Sequence, residues 1–493
     1  MKELKNLAGQ TIIYGMGTMV PKLLNFVILT PFFTRLFKYN IEEYGKVTEL
    51  YAYIVFLMIL LTYGMETAYF RYVNIEKSHK KVFSTIFTSI LVTTAIFIFV
   101  IFYCTDGIAS ALKYEGEAYF IKYLGGILAI ETLSAIPFAK LRIENKARKF
   151  AILKIVLVVL NIGIMLFYYK VSPKIFGSDF ILNADKLVSA RFIFISNFIA
   201  STIVFIFLIP ECRLYNIKYF NFSILKRVYI YGIPLLVSGL GGVINETLDR
   251  SIFKHVFANT SEALYQLGVY GANYKLASVI LIVVQMFRYA AEPFFFNYEK
   301  QKDSKERYAQ VMHIFVGITL FMGLGILLFL NIARYFIAST YYSGLRIVPL
   351  IVLAYVLYGI LFNLSVWFKL SNKTQYAIII TTVGALITIT VNLIFLPEYG
   401  YYAAAVGHVT SYFVMVIISY ILSRKYYLIP YNVPRITGYI LLAVAIYFVD
   451  RFVEIDMILL SYLFKLFLLV LFSTFVIYKE NLIEIFFKRS HEG

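Results

Sequence analysis

The chain carries fourteen apolar runs that are each long enough to cross a lipid bilayer. A hydrocarbon core of about 30 Å, at a rise of about 1.5 Å per residue, requires a helix of roughly 20 residues. Backbone polar groups inside lipid must be hydrogen-bonded internally, so runs of this length predict membrane-spanning helices. The expected spans are residues 10–36, 46–70, 82–104, 118–140, 149–169, 189–210, 223–248, 264–292, 308–333, 346–368, 376–396, 401–423, 435–450 and 457–478.

The composition also indicates that lipid is the solvent. Hydrophobic residues make up 60% of the chain and charged residues 15%, whereas soluble domains contain about 25% charged residues. The net charge of +18 is divided among short basic clusters between the apolar runs. This pattern is typical of loops at an anionic membrane surface and argues against a nucleic-acid-binding protein.

The basic residues predict the orientation of the chain. With the N-terminus in the cytoplasm, the connections on that side hold 27 Lys and Arg residues, and the connections on the other side hold 13. Short cytoplasmic loops are enriched in Lys and Arg. We therefore expect a multi-pass membrane protein with both termini in the cytoplasm.

The first and seventh spans share an order of residues that suggests an internal repeat. Each has a proline inside the span, an arginine near the outer end, and a Tyr-Gly pair that opens the next span. Six spans separate the two copies, and an even number preserves direction, so the halves are predicted to be parallel repeats. The matched residues are Pro21, Arg35 and Tyr44-Gly45 in the first copy, and Pro234, Arg250 and Tyr270-Gly271 in the second.

The predicted fold is therefore an all-α integral membrane protein of about 14 transmembrane helices. Two six-helix lobes in a parallel pseudo-two-fold arrangement are followed by two further helices. The expected boundaries are 1–215 for the N-lobe, 216–425 for the C-lobe, and 426–493 for the last two helices and a cytoplasmic tail.

The stretch 232–296 is expected to form part of a binding site. Pro234 and the glycines Gly239, Gly241 and Gly242 predict an interrupted helix, and broken helices often mark where a transporter binds its cargo. Charged residues are costly in lipid and usually face a bundle interior or a wet cavity, and the same stretch carries Glu246, Asp249, Arg250, Lys275, Arg288 and Glu292.

Two stretches resemble a known family. ILTPFFTRLFKYNIEEYGKVTELYAYIVFLMILLTYGMETAYFRYV at 28–73 is similar to the start of Wzx-type polysaccharide flippases of the multidrug/oligosaccharidyl-lipid/polysaccharide exporter superfamily. GIPLLVSGL, LDRSIF, GVYGANYKLASVI and AAEPFFF, within 232–296, resemble the start of their second half. The resemblance implies two lobes around a central cavity that opens to one side at a time, in the bacterial inner membrane. It also implies an undecaprenyl-diphosphate-type lipid-linked oligosaccharide as cargo.

Two lysines are candidates for cargo binding. Lys22 lies 12 residues into the first span and Lys275 lies 11 residues into the eighth, which places each about 17–18 Å deep, near mid-bilayer. An ammonium is a compact, rotatable partner for a diphosphate. The alternative is that each lysine snorkels or pairs with a nearby acid. Tyr14 and Tyr274 are further candidates because their rings would stack on sugars.

Six charged residues are candidates for gating or coupling. Glu246, Asp249 and Arg250 either close an outer gate or form a turn. Arg288 and Glu292 are four residues apart, so pairing with each other at the inner mouth explains them at least as well as a gating role. Glu66 is expected to pair with a base on another helix. The sequence predicts no catalytic residue, metal site or cofactor.

The predicted function is transport of the lipid-linked oligosaccharide from the cytoplasmic to the outer leaflet by alternating access, without enzyme activity. One alternative is a cation-coupled drug exporter of the same superfamily. The other is a membrane polysaccharide polymerase or glycosyltransferase, although the longest connection, 170–190, is short for such an enzyme. A coupling proton or sodium ion, a glycan polymerase and export machinery are the further partners considered, besides membrane lipids.

Overall fold

The protein is a bundle of long helices, as the apolar runs predict. The structure, a computed structural model, describes residues 17–76, 78–182, 188–299, 301–371 and 373–481. Within these residues, fourteen helices are long and apolar enough to cross a membrane, which confirms the all-α membrane fold. They are α1 Gly17–Leu36, α2 Ile41–Ile75, α3 His79–Tyr103, α4 Tyr119–Ile143, α5 Ala147–Phe176, α6 Arg191–Leu214, α7 Phe222–Val256, α8 Thr260–Tyr298, α9 Ser304–Leu328, α10 Ser339–Leu370, α11 Gln375–Tyr399, α12 Tyr401–Tyr426, α13 Val433–Phe452 and α14 Ile458–Lys479.

The helix break lies in α2 and not in α7. The α7 helix continues from Phe222 to Val256 with Pro234 inside it, so the predicted interruption there is wrong. Its glycines keep helical geometry, and a helix in lipid tolerates one missing backbone donor when neighbouring groups compensate. In α2 the helix stops at Thr62 and restarts at Met65, with Tyr63 at φ 31° and Gly64 at φ 73°. Glycine favours this left-handed backbone.

The structure divides by its internal contacts into residues 1–268 and 269–493. In the first unit α2 lies along α7, α3 packs against α4, and α6 packs against α4 and α5. A buried core that includes Met65, Tyr69, Phe83, Ile86 and Val228 joins α2, α3 and α7. The predicted boundaries at 215 and 425 stay predictions.

In the second unit α12 packs against α10 and α11, while α9 contacts α10, α13 and α14. The last two helices are thus attached through α9. Glu480, at the end of α14, accepts a 2.5 Å hydrogen bond from the Tyr439 hydroxyl and forms a 3.3 Å ion pair with Arg435, both on α13. Its carboxylate also lies 3.9 Å from His313 on α9. These contacts fix the register of α13 and α14 against α9.

Candidate functional site

The two lysines predicted to bind cargo are both exposed on their helices. Lys22 lies 14 residues before the end of α1 at Leu36, and Lys275 lies 15 residues after the start of α8 at Thr260. Each is therefore roughly 20 Å from the helix end predicted to be outer. Their depth in the bilayer and their contact with cargo stay predictions.

Of the two candidate tyrosines, only Tyr274 lies within the described residues. Tyr274 is 5% exposed, and its ring centroid lies 5.5 Å from that of Tyr270, 5.6 Å from Tyr355 and 5.8 Å from His408. The ring is thus built into an aromatic core of the second unit, and its contact with sugar stays a prediction. Tyr14 lies outside the described residues.

The charges predicted to form a gate on α7 lie in the last three turns of that helix. Asp249 is 1% exposed, whereas Glu246 and Arg250 are half-buried. A carboxylate buried this deeply is normally held by charged or hydrogen-bonding neighbours. Their gating role stays a prediction.

A buried ion pair joins α2 to α7 one helical turn beyond Arg250. The Lys254 Nζ lies 3.2 Å from the Glu49 Oε2, and both side chains are 0% exposed. The Glu49 carboxylate also accepts hydrogen bonds from the hydroxyls of Tyr114 at 2.7 Å and Tyr53 at 3.1 Å. Lys254 donates to the Leu112 carbonyl at 2.5 Å. A buried pair is tolerated only when such additional hydrogen bonds offset the loss of hydration.

The connection between α3 and α4 supplies the remaining partners of this pair. The Lys254 Nζ lies 3.2 Å from the centroid of the Tyr114 ring, and Lys113 donates to the Lys254 carbonyl at 2.6 Å, near the end of α7. Burial, and after it the Glu49 carboxylate, raises the pKa of Tyr114 well above its ordinary value. The neutral phenol therefore remains a donor to Glu49. We call Glu49, Tyr53, Leu112–Tyr114 and Lys254 the Glu49–Lys254 cluster.

Two glycines bring backbones into contact at the same end of the first unit. A Cβ on Gly45 in α2 would overlap the carbonyl oxygen of Leu264 in α8, and a Cβ on Gly268 would overlap the carbonyl oxygen of Ile41. The Ser261 hydroxyl donates to Glu42 at 2.5 Å beside them. The starts of α2 and α8 therefore approach at a distance that only glycine permits.

The end of α2 and the start of α7 are also joined by side-chain contacts. Arg227 pairs with Glu76 at 2.5 Å, and the Tyr72 hydroxyl donates to the Arg227 carbonyl at 3.0 Å. A Cβ on Gly64 would come within 2.8 Å of the Gly232 carbonyl oxygen. We call the contact between α2 and α7, which is held near both of its ends, the α2–α7 seam.

Glu66, Arg288 and Glu292 are the remaining candidates for gating or coupling. Glu66 forms a 2.7 Å ion pair with Arg142 of α4, and both side chains are about two-fifths exposed; pairs this exposed contribute little to stability. The Arg288 guanidinium lies 5.9 Å from the centroid of the Phe362 ring. Glu292 lies in α8, and its side chain is outside the described part of the chain. Coupling and gating roles for these residues stay predictions.

Neither Glu49 nor Lys254 is among the site residues predicted from the sequence. A signal was present, because Glu49 follows Gly45 by four residues and Lys254 follows Arg250 by four, which continues faces already singled out. Which two helices meet is not encoded in that spacing. Among the described residues, no group of three His, Cys, Asp or Glu side chains is placed to hold a metal ion.

Comparison with known proteins bears on what this bundle does. The family model described as polysaccharide biosynthesis protein matches residues 7–299, more than half of the chain. The chain belongs to this family. A protein of the Lsg locus of Haemophilus influenzae is 23% identical over 302 residues, which is 59% of this chain and 66% of that protein, just under two-thirds of its length. The resemblance drawn from residues 28–73 and 232–296 is therefore confirmed.

Solved transporters share the fold of this family member. The lipid II flippase MurJ in an inward closed conformation superposes with a TM-score of 0.64 at 16% identity, covering 95% of this chain and 99% of that one. An inward-facing multidrug resistance MATE transporter gives a TM-score of 0.61 at 14% identity, covering 87% and 98% respectively. At these identities the likeness shows the fold alone.

Proposed function

We propose that this protein flips an isoprenoid-diphosphate-linked oligosaccharide from the cytoplasmic to the outer leaflet of the bacterial inner membrane. The observation that carries the proposal is the family match over residues 7–299, together with a fold shared with a lipid II flippase. The sugar part of such a cargo cannot cross hydrocarbon unaided because its hydroxyls would lose their hydrogen bonds. A protein path that replaces those bonds is therefore required.

Lys22 and Lys275 are proposed as the diphosphate contacts. Each is exposed and lies roughly 20 Å from the predicted outer end of its helix, and a cation within a membrane span is costly unless it faces water or an anion. A lysine forms charge-assisted hydrogen bonds with a phosphate as a point charge, without the bidentate geometry of arginine. Such a contact suits a cargo that must bind and then leave.

Alternating access is the proposed mechanism, and the α2–α7 seam is proposed as part of the closure at the outer side. The Glu49–Lys254 pair and the Gly45 and Gly268 contacts all lie at the end of α2 that the basic residues predict to be outer. Release of cargo on that side would require the pair to separate and each charge to be rehydrated. The predicted gate at Asp249 and Arg250 lies one turn from Lys254 on α7 and is proposed to move with it.

A cation-coupled drug exporter is the second candidate, because a multidrug resistance MATE transporter shares the fold. Such an exporter would favour acidic residues over lysines such as Lys22 and Lys275 as its cargo contacts. Energy coupling to a proton or sodium ion is compatible with either function. A glycan polymerase and export machinery would act on the cargo after the flippase.

Transport in proteoliposomes tests the proposal. A lipid-linked oligosaccharide carrying a fluorophore is placed in both leaflets, and the outward fraction is followed with a membrane-impermeant quencher. Loss of one charge-assisted contact of about 1.5–3 kcal/mol predicts that Lys22→Ala or Lys275→Ala slows flipping by about 10- to 100-fold. Lys22→Arg and Lys275→Arg should retain more activity than the alanine variants.

Lys302→Ala, an exposed lysine in the connection between α8 and α9, is the matched control and should flip at the unchanged rate. Normal flipping by the Lys22→Ala/Lys275→Ala double variant would remove the site assignment. Export of a cationic dye with no movement of any lipid-linked saccharide would favour the drug exporter. Extension of saccharide chains without flipping would indicate a polymerase.

A further inference from the structure

An apolar cavity of about 240 Å³ lies beside the Glu49–Lys254 cluster. Tyr53 and Leu57 of α2 form one wall, Ile101 of α3 and Leu124 of α4 form others, and Ser251 of α7 completes the lining. The short helix Thr105–Ala111 and the residues after it also contribute to the lining. Both helices of the α2–α7 seam are therefore walls of one cavity in the first unit.

Water is a poor occupant of this cavity. A buried water needs 2–4 polar partners, and the lining is almost entirely apolar. The Tyr53 hydroxyl donates to Glu49, and the Thr247 hydroxyl donates to the Val243 carbonyl at 2.9 Å. An apolar cavity of about 150 Å³ is known to stay dry and to bind benzene. By that comparison the larger cavity here has room for about ten carbon atoms.

The lipid around the protein contains hydrocarbon chains that could fill this cavity. The α3 helix places Ile101 on the cavity and exposes the large side chains of Phe99, Phe102 and Tyr103, which are 67%, 54% and 82% exposed. An apolar surface of this kind on a membrane helix faces lipid. The α3 helix thus borders both the cavity and the bilayer hydrocarbon, and acyl chains are the apolar molecules present there at the highest concentration.

We propose that this cavity binds a segment of an acyl chain from a membrane lipid. Because α2 and α7 both line it, a chain that binds only while these helices are in contact favours the arrangement with the seam closed. The site is distinct from the lysines proposed to hold cargo, and the proposal stands whatever the cargo is. It makes the closed seam sensitive to the lipid around the protein.

Photolabelling tests the site directly. The full-length protein is placed in nanodiscs containing phosphatidylglycerol whose acyl chain carries a diazirine, irradiated, and mapped by mass spectrometry. We expect label on cavity-facing residues of α2, α4 and α7, and loss of that label in Leu124→Phe and Leu128→Phe, which fill the cavity. Ile96→Phe adds the same bulk on the exposed face of α3, where Ile96 is 59% exposed, and should keep the label.

A second measurement reports on binding energy. Phosphatidylglycerol added to the detergent-purified protein should raise Tm because a ligand that binds the native state stabilises it, and the filled variants should show a smaller rise than Ile96→Phe. If neither filled variant folds, the label map of the unchanged protein decides: label confined to exposed helix faces overturns the proposal. Labelling of the cavity by a diazirine-bearing geranylgeranyl diphosphate, in preference to the phosphatidylglycerol probe, would overturn the acyl chain as its occupant.

Discussion

The Glu49 carboxylate sits where a lone charge would be most costly. It is fully buried, and it is held by one cation and two phenols that come from three different segments of the chain. Removing one member of a buried pair leaves the other charge without compensation, which costs far more than the net contribution of the intact pair. This asymmetry makes the pair testable by substitution.

Lys254→Met and Glu49→Gln are each expected to lower the free energy of unfolding by about 3–5 kcal/mol, seen as a lower Tm in detergent. The double variant should lose less than the sum of the two single losses, because neither charge is then left alone. Lys174→Met, at an exposed position of α5, is the control and should leave Tm unchanged. Additive losses in the double variant would show that the pair is not coupled.

Part of the site could be predicted from the sequence and part could not. The distance of Lys22 and Lys275 from their helix ends follows from counting residues along a helix, because the rise per residue is fixed, and both lysines lie within long helices in the structure. The pairing of Glu49 with Lys254 depends on the contact between α2 and α7, which lie about 200 residues apart in sequence. Periodicity identifies an apolar face but does not identify the helix that packs on it.

At the scale of helices, proline and glycine in the sequence did not predict which helix is broken: the break lies in α2 and not in α7. Pro234 and three nearby glycines predicted an interruption in α7, yet the helix is continuous. Proline removes one backbone hydrogen-bond donor. Any further loss of internal hydrogen bonds is costly in free energy for a helix in lipid. In α2, Gly64 adopts a left-handed backbone and lies against the Gly232 carbonyl, so the break follows from a local contact between two helices.

Gly45→Ala is expected to open the contact between the starts of α2 and α8, because its Cβ would overlap the Leu264 carbonyl. A Ser251→Cys reporter, in a background of Cys104→Ser and Cys212→Ser, should then react with a soluble maleimide about tenfold faster, equivalent to a shift of about 1.4 kcal/mol in the closing equilibrium. Ser251 lines the cavity beside the seam.

Gly163→Ala provides the matched control for that reporter. Among the described residues, nothing lies within 4 Å of a Cβ built at Gly163 of α5, so maleimide reactivity should stay at the unmodified rate. Equal reactivity of the Gly45→Ala and Gly163→Ala proteins would show that the glycine contact does not hold this end closed.

For the whole molecule, the number and position of the spans were predictable because backbone groups in lipid must form their hydrogen bonds internally. Each apolar run of roughly 20 residues has to become a helix, and all fourteen expected spans correspond to helices in the structure. The apolar runs say less about how helices group. The predicted boundary at 215 rests on the repeat and stays a prediction, and the internal contacts group α7 with α2 within residues 1–268.

The fourteen spans in the described part of the chain predict that residues 17 and 481 lie on the same side of the membrane, and the excess of Lys and Arg predicts that this side is cytoplasmic. Fusions to alkaline phosphatase, which is active only outside the cytoplasm, test this. A fusion after Asp456, between α13 and α14, should be active, and a fusion after Asn481, beyond α14, should be inactive. The two differ by a single span, so opposite activities require that α14 crosses the membrane.

Activity after Asn481 with none after Asp456 would invert the orientation and would place the Glu49–Lys254 cluster at the cytoplasmic side. The α2–α7 seam would then act on cargo entry and not on release.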